Sequence, residues 1–183
     1  MHFDGYEGWV DVQQISEISE EYFQERKTEL VQNTLQMYST SQGVILLSIG
    51  SEVNSEKAEP TFLKTETVSE TAQKFFNVPY LWSGRSFFGI DCSGFVQLVY
   101  KVHGISLPRE AHQQSEVGEV LSFVEESKPG DLAFFENVDG QISHVGMMLE
   151  DQNIIHAYGK VRIDSLDSTG IFNKELNKHT HKL

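Results

Sequence analysis

The chain carries a single cysteine, Cys92, set in Gly89-Ile90-Asp91-Cys92-Ser93-Gly94. From Gly94 to His103, Phe95, Val96, Leu98, Val99 and Val102 recur at helical spacings, which predicts an amphipathic helix of about three turns. Cys92 therefore falls in the first turn. The amino end of a helix carries about half a positive charge and open N–H groups. Both favour a thiolate, so the position predicts a thiol pKa below the free value of about 8.5. A thiolate is a nucleophile, and the same N–H groups can stabilise an oxyanion on an attacked carbonyl. The alternative is a small buried hydrophobe, the usual state of a free cysteine. The polar neighbours Asp91 and Ser93 argue against it.

A nucleophilic cysteine needs a histidine base and a third group to orient that base. His144 lies in Ile142-Ser143-His144-Val145-Gly146, and His156 in Ile154-Ile155-His156-Ala157-Tyr158. Both segments read as strands, and Glu150-Asp151-Gln152-Asn153 between them reads as a turn, so a hairpin is expected. In such a hairpin the numbers of paired residues have a constant sum. The two histidines share a face only if that sum is even. Pairing with a sum near 300 or 302, for example Met148 with Ile154, is therefore expected. The other histidines read more weakly. His103 ends the helix, where a cation suits the dipole. His112 falls at a loop or helix start. His179-Thr180-His181 is a two-ligand metal pattern at most and reads as a solvated tail.

Three zones must position these residues. The first runs from Met1 to about Pro60. Gly5 to Val12 suggests a turn leading into a short strand, Glu17 to Gln36 room for a short helix, and Gly43 to Gly50 a strand. Ser51 to Pro60 reads as a linker. The second zone, 61–172, holds most of the apolar residues. Thr67 to Phe76 predicts a short helix capped by Thr67 or Ser69, and Gly104 suits the C-cap of the cysteine helix. Asp131 to Phe135, Ile142 to Leu149 and Ile154 to Tyr158 predict strands. The third zone, 173–183, is polar and reads as a loosely held tail. One helix followed by several strands implies an α+β domain on an antiparallel sheet.

The 183 residues suit one full domain and part of another. Hydrophobic residues make up 39% and charged residues 22%, ordinary globular values. The net charge of −13 weighs against a nucleic-acid partner, because phosphate backbones are held by clustered Lys and Arg. No apolar run approaches the ~20 residues that span a bilayer. One cysteine cannot make an internal disulfide, nor a zinc site with two Cys ligands. No phosphate loop or dinucleotide fingerprint is present, and the reading calls for no cofactor or metal. The amino terminus lacks a positive and apolar leader, which favours the cytoplasm unless the natural start lies upstream, in which case the cell envelope fits.

Several segments in order resemble NlpC-type cell-wall cysteine peptidases. They are Val78-Pro79-Tyr80-Leu81-Trp82-Ser83-Gly84-Arg85, Gly89 to Val96, Leu107-Pro108-Arg109, Lys128 to Leu132, Ile142 to Gly146 and Ile154 to Ala157. The similarity runs from about Val68 to Phe172. It implies a permuted papain-like fold in which a cysteine-bearing helix packs on a histidine-bearing antiparallel sheet. It also implies Cys92 as nucleophile, His144 as base and His156 as the group orienting it. The branch most similar to this sequence comprises γ-D-glutamyl–diamino acid endopeptidases acting on peptidoglycan-derived peptides that begin L-Ala-γ-D-Glu. In that reading Asp91 and Ser93 would bind the free amino end, and Tyr80 and Trp82 would form an apolar wall. Asp91 is equally a plain helix cap. An amidase or acyltransferase on the same scaffold, or an inactive wall-fragment binding module, are the alternatives. The usual Gly-Gly after the tryptophan is Ser83-Gly84 here. Gly5 to Val12 resembles the later part of a bacterial SH3-like barrel, so residues 1–60 are expected to form an incomplete barrel region.

Overall fold

Polar residues that compete with the backbone for hydrogen bonds start the first elements of the chain. In this computed structural model, which describes residues 4–54, 62 and 66–182, Ser19 opens α1 (Glu20–Glu25) by accepting from the Tyr22 N–H. Next come β1 (Thr28–Leu30), β2 (Leu35–Thr40), β3 (Gly43–Ser48) and β4 (Glu52–Asn54). β2 and β3 form a hairpin, and β1 pairs with β4. Two expectations need correction. Gly5 to Val12 forms no strand, because no strand among the described residues takes up its backbone groups, and only a 3-10 turn forms at Val12–Gln14. The polar run from Ser51 begins with a strand, since β1 supplies a ladder for Glu52 to Asn54; Pro60 lies outside the described residues. Asp4 ties the start of the chain to its later elements. Its carboxylate, 1% exposed, accepts from Arg85 Nη1 at 2.7 Å and Gln97 Nε2 at 2.9 Å.

Thr67 caps α2 (Val68–Gln73) in a reciprocal box with Glu70, as its side chain and spacing predict. Two short strands, β5 (Arg85–Ser86) and β6 (Gly89–Ile90), lead into α3 (Cys92–Val102), and α4 (Ala111–Gln114) comes next. The chain then winds through β7 (Leu132–Glu136), β8 (Ile142–Met148), β9 (Asn153–Tyr158), β10 (Lys160–Asp167), β11 (Gly170–Asn173) and β12 (Lys178–Lys182). These six antiparallel strands close into a barrel in the order β10-β11-β12-β7-β8-β9. The α+β class holds, with the sheet closed on itself.

Strand alternation divides the apolar residues between two cores. On β8, Val145 and Met147 face the helices and pack with Phe95, Val96, Val99 and Val102 of α3. Each of those four helix side chains is fully buried, worth about 1.5–3 kcal/mol for the larger ones. Met148 faces the barrel interior with Phe135, Ile154, Leu166 and Ile171. His144 and Gly146 share its parity and therefore its face.

The loosely held tail is also corrected. Lys178–Lys182 pairs with β11 along its length and meets β7 at Lys182↔Glu136, completing the barrel. Its polar composition hides this, but backbone pairing does not depend on apolar side chains. Gly170 makes the close approach possible: a Cβ there would stand 1.9 Å from the His181 carbonyl oxygen.

Candidate active site

The β8–β9 hairpin pairs Gly146 with His156, Met147 with Ile155 and Met148 with Ile154, a constant sum of 302. The even sum predicted from parity is the one observed, so His144 and His156 lie on one face. A 3-10 turn at Glu150–Gln152 makes the connection, with Asp151 and Gln152 at positive φ. Gly146 lies opposite His156, and a Cβ there would come within 2.6 Å of the Ile154 side chain and 3.0 Å of His156 Cβ. The missing side chain lets the His156 ring lean across the strand to His144.

Cys92 sits where the two strands part. Met148 donates its N–H to Asp131 and accepts from Gly130, so even-numbered residues of β8 direct their backbone groups away from β9. Odd-numbered residues direct theirs toward it. The pairing with β9 ends at Gly146, leaving the polar groups of Ser143 and Val145 beyond the last rung. The N-terminus of α3 fills that gap. Val145 N–H donates to Cys92 Sγ, and Sγ lies 4.0 Å from the Ser143 carbonyl oxygen. The sulfur thus rests on the backbone either side of His144.

The expected fall in thiol pKa does not occur. Burial of Cys92, 8% exposed, pushes it up, and the Asp91 carboxylate adds to the rise. The N–H groups of Val145, Ser93 and Cys92 itself pull the other way without cancelling it. Helix position alone misses this because desolvation opposes the dipole. The resting thiol is protonated.

The imidazoles form a chain. His144 Nε2 lies 2.8 Å from His156 Nδ1, and His156 Nε2 lies 3.2 Å from Asp164 Oδ2. Arg162 holds Asp164 from the other side, with Nε at 2.6 Å from Oδ2 and Nη2 at 3.2 Å from Oδ1, and Lys174 N–H donates to Oδ1. Burial pushes Asp164 up, but the hydrogen bonds from His156, Arg162 and Lys174 overcome it and hold the carboxyl well below its ordinary value. An anionic Asp164 can only accept, so His156 carries its proton on Nε2 and accepts at Nδ1. His144 must then donate from Nε2, which leaves its lone pair on Nδ1. Burial, then the neighbouring His156 and His181, hold His144 well below its ordinary pKa. Burial also lowers His156, outweighing the opposite pull of Asp164. Both rings rest neutral near neutral pH.

Three members of this cluster escape the sequence reading. Asp164 and Arg162 lie on β10, where Arg162 pairs with His156, and their alternation with Ile163 was the available signal. His181, read as solvated, stacks on His144 with ring centroids 4.1 Å apart and a 21° interplanar angle. Burial, then the charge of His156, bring its pKa down to about 4.

The residues around the cysteine are more enclosed than expected. Asp91 caps α3, accepting from Gly94 N–H at 2.7 Å. Its carboxylate also accepts two bonds from Arg109 and one from Ser93 Oγ. Ser93 Oγ accepts from Arg109 Nη1 at 2.7 Å, and Arg109 is 4% exposed. Arg109 is thus a buried structural partner of the cap. Tyr80 is half-buried, and burial, then the charges of Cys92 and Asp91, push its phenol up. Trp82 stands 83% exposed. Ser83 holds a left-handed φ of 61°, the conformation that glycine takes without strain.

The NlpC/P60 family model matches residues 77–180. A gamma-D-glutamyl-L-lysine dipeptidyl-peptidase of Bacillus cereus is 36% identical over 124 residues, covering 62% of this chain and 37% of that protein. Its namesake from Bacillus subtilis is 40% identical over 116 residues, covering 61% and 38%. The chain therefore spans less than two-fifths of these relatives. A crystal structure of an NlpC/P60 family protein from Bacillus cereus superposes with a TM-score of 0.77 at 24% identity, covering all of this chain and 71% of that one, a likeness of fold. Matched over more than half its length, with its cysteine at a helix start against a histidine-bearing barrel, the chain belongs to the NlpC/P60 family.

Proposed function

We propose that the protein is a cysteine peptidase that hydrolyses the γ-D-glutamyl–diamino acid bond of peptidoglycan stem peptides. Cys92 is the nucleophile, His144 the base and His156 the group that orients it. The observation that carries this reading is the Asp164–His156–His144 chain, which leaves the only free lone pair of His144 on Nδ1. The names of the two Bacillus relatives support the choice of bond. In the permuted papain-like reading, residues 61–172 form the catalytic domain, and we assign β12 to it as well. Residues 1–60 are read as part of an SH3-like module.

Both partners rest neutral, so ionisation accompanies attack. His144 Nδ1 takes the thiol proton as Sγ bonds to the glutamyl carbonyl carbon. The N–H groups at the start of α3 face the developing oxyanion. Collapse expels the diamino acid amine, which takes the proton from His144 and leaves an acyl-enzyme. Water, deprotonated by the same nitrogen, releases the γ-D-glutamyl product and the thiol. Tyr80 lines the approach, and exposed Trp82 is free to close over a bound peptide. Binding of a free L-Ala amine by Asp91 requires its carboxylate to be shared with Arg109, and Ser93 acts through the same network.

Mass spectrometry of L-Ala-γ-D-Glu-diaminopimelate incubated with the wild type and with Cys92→Ala tests the reading. Release of L-Ala-γ-D-Glu by the wild type alone is expected. An intact peptide under reducing conditions, or preferential cleavage of an N-acetylmuramoyl amide, overturns it. N-acetylation of the L-Ala should prevent cleavage; continued cleavage removes Asp91 from amine binding.

A further inference from the structure

His181 brings a third imidazole to a pair that the proposed reaction already explains, and that reaction gives it no task. One ring nitrogen from each of His144, His156 and His181 lies within 4.8 Å of the other two. We propose that these three histidines bind a divalent transition-metal ion, Zn2+ foremost, and that the bound ion reversibly switches the enzyme off. The inhibitory half of this proposal rests on the peptidase reading; the binding half does not.

The donor set selects the metal. Three imidazoles suit Zn2+, Co2+, Ni2+ or Cu2+, and exclude the oxygen-seeking Mg2+ and Ca2+. Tetrahedral Zn–N bonds of about 2.05 Å need nitrogens about 3.3 Å apart. The His144–His156 contact of 2.8 Å must open slightly, and the His181 ring, stacked on His144, must tilt toward them. The His181 Nδ1 faces Thr180 Oγ1 at 3.0 Å, which leaves Nε2 for the metal. The site also has outer support. His156 already donates Nε2–H to Asp164, the carboxylate–histidine arrangement that aims a ligand's other nitrogen at a metal. Arg162 in turn fixes Asp164. Three protein ligands leave a fourth position for water.

Inhibition follows from the ring proton. His144 now holds it on Nε2, the nitrogen that faces His156. A metal at Nε2 displaces that proton to Nδ1, the atom that must accept from Cys92. The base is lost although the sulfur is untouched. The switch therefore needs no thiolate–metal bond, unlike metal poisoning of a cysteine enzyme through its sulfur.

The full chain can be titrated with Co2+ as a coloured substitute for Zn2+. The wild type and Cys92→Ala should both develop the visible bands of four- or five-coordinate Co2+, without a sulfur charge-transfer band. His181→Gln should bind Co2+ roughly tenfold more weakly or worse, at least the loss seen for outer-shell partners. His179→Gln, altered at an exposed residue paired with Asp167, serves as control and should bind as the wild type does. Unfolding curves verify that each variant is folded. Zn2+ should inhibit the wild-type peptidase, and a chelator should restore it. No Co2+ spectrum, a spectrum lost in Cys92→Ala, or undiminished binding by folded His181→Gln overturns the site. Full turnover with the metal bound overturns the switch. A protein that binds Co2+ as described yet cleaves no stem peptide leaves the site standing and refutes the peptidase reading.

Discussion

Replacing Asp164 with Asn tests the imidazole chain most directly. The carboxylate accepts from His156, from two nitrogens of Arg162 and from Lys174 N–H. An amide offers one oxygen to the same donors and no charge to balance a proton arriving on His144. Hydrogen bonds to charged groups contribute about 1.5–3 kcal/mol, or roughly 10- to 150-fold in rate. The His156–Asp164 distance of 3.2 Å is long for such a bond, so the lower part of that range, roughly 10- to 30-fold, is expected in kcat. KM should change little, because Asp164 lies beyond the two rings. Stability should fall by about 2–4 kcal/mol, less than complete removal of a buried partner costs, since Arg162 keeps Glu175 and Asn173. The pH profile separates the chain from simple unfolding. Asp164 raises the pKa of His156, so its loss should move the acid limb of kcat to lower pH. Stem-peptide hydrolysis followed by mass spectrometry across pH, on protein shown to be folded, reads all three quantities. A folded Asp164→Asn enzyme with kcat within about twofold of wild type and an unmoved limb would refute the tautomer argument.

Alkylation of Cys92 by iodoacetamide should keep accelerating as pH rises past neutrality, with no plateau below it, because the thiol pKa is raised; a plateau in the acid range would indicate a resting ion pair. Gly146→Ala places a methyl group against Ile154 and His156, and should cost about 1–3 kcal/mol in denaturant unfolding and lower kcat, while unchanged values would mean that the rings have room. Ser83→Gly should stabilise by about 0.5–1 kcal/mol by relieving a positive φ, read as a higher denaturation midpoint. The histidine cluster should make the fold acid-sensitive. His181 drops from its ordinary value to about 4 on folding, so the unfolded chain binds the proton more tightly. Its contribution is present above the ordinary histidine pKa and is lost as pH falls toward 4. His181→Gln should flatten that part of the stability profile.

The region around Cys92 is legible because its signals are local or obey parity. Helical periodicity placed Cys92 at the start of α3, and an even pairing sum put both histidines on one face. What stayed hidden depends on long-range geometry. Asp164 looks like any charged strand residue until β10 pairs with β9 and sets it against His156. Lys178–Lys182 carries no apolar pattern, and its place in the barrel rests on backbone pairing that Gly170 permits. Nothing in Leu107-Pro108-Arg109 marks the arginine for burial until its loop turns inward to Asp91. The thiol pKa stays hidden because a sequence displays the helix dipole but not the depth of burial around it.

The seat of Cys92 at the parting of β8 and β9 gives the sulfur a built-in spectroscopic reporter. The Val145 amide points at sulfur instead of a neighbouring strand's carbonyl. Its proton resonance will track the charge and chemical state of that atom, moving downfield as the thiol ionises and shifting again when an acyl group or an alkylating agent occupies it. One backbone signal can thus track the proposed catalytic cycle in solution without a label on the substrate.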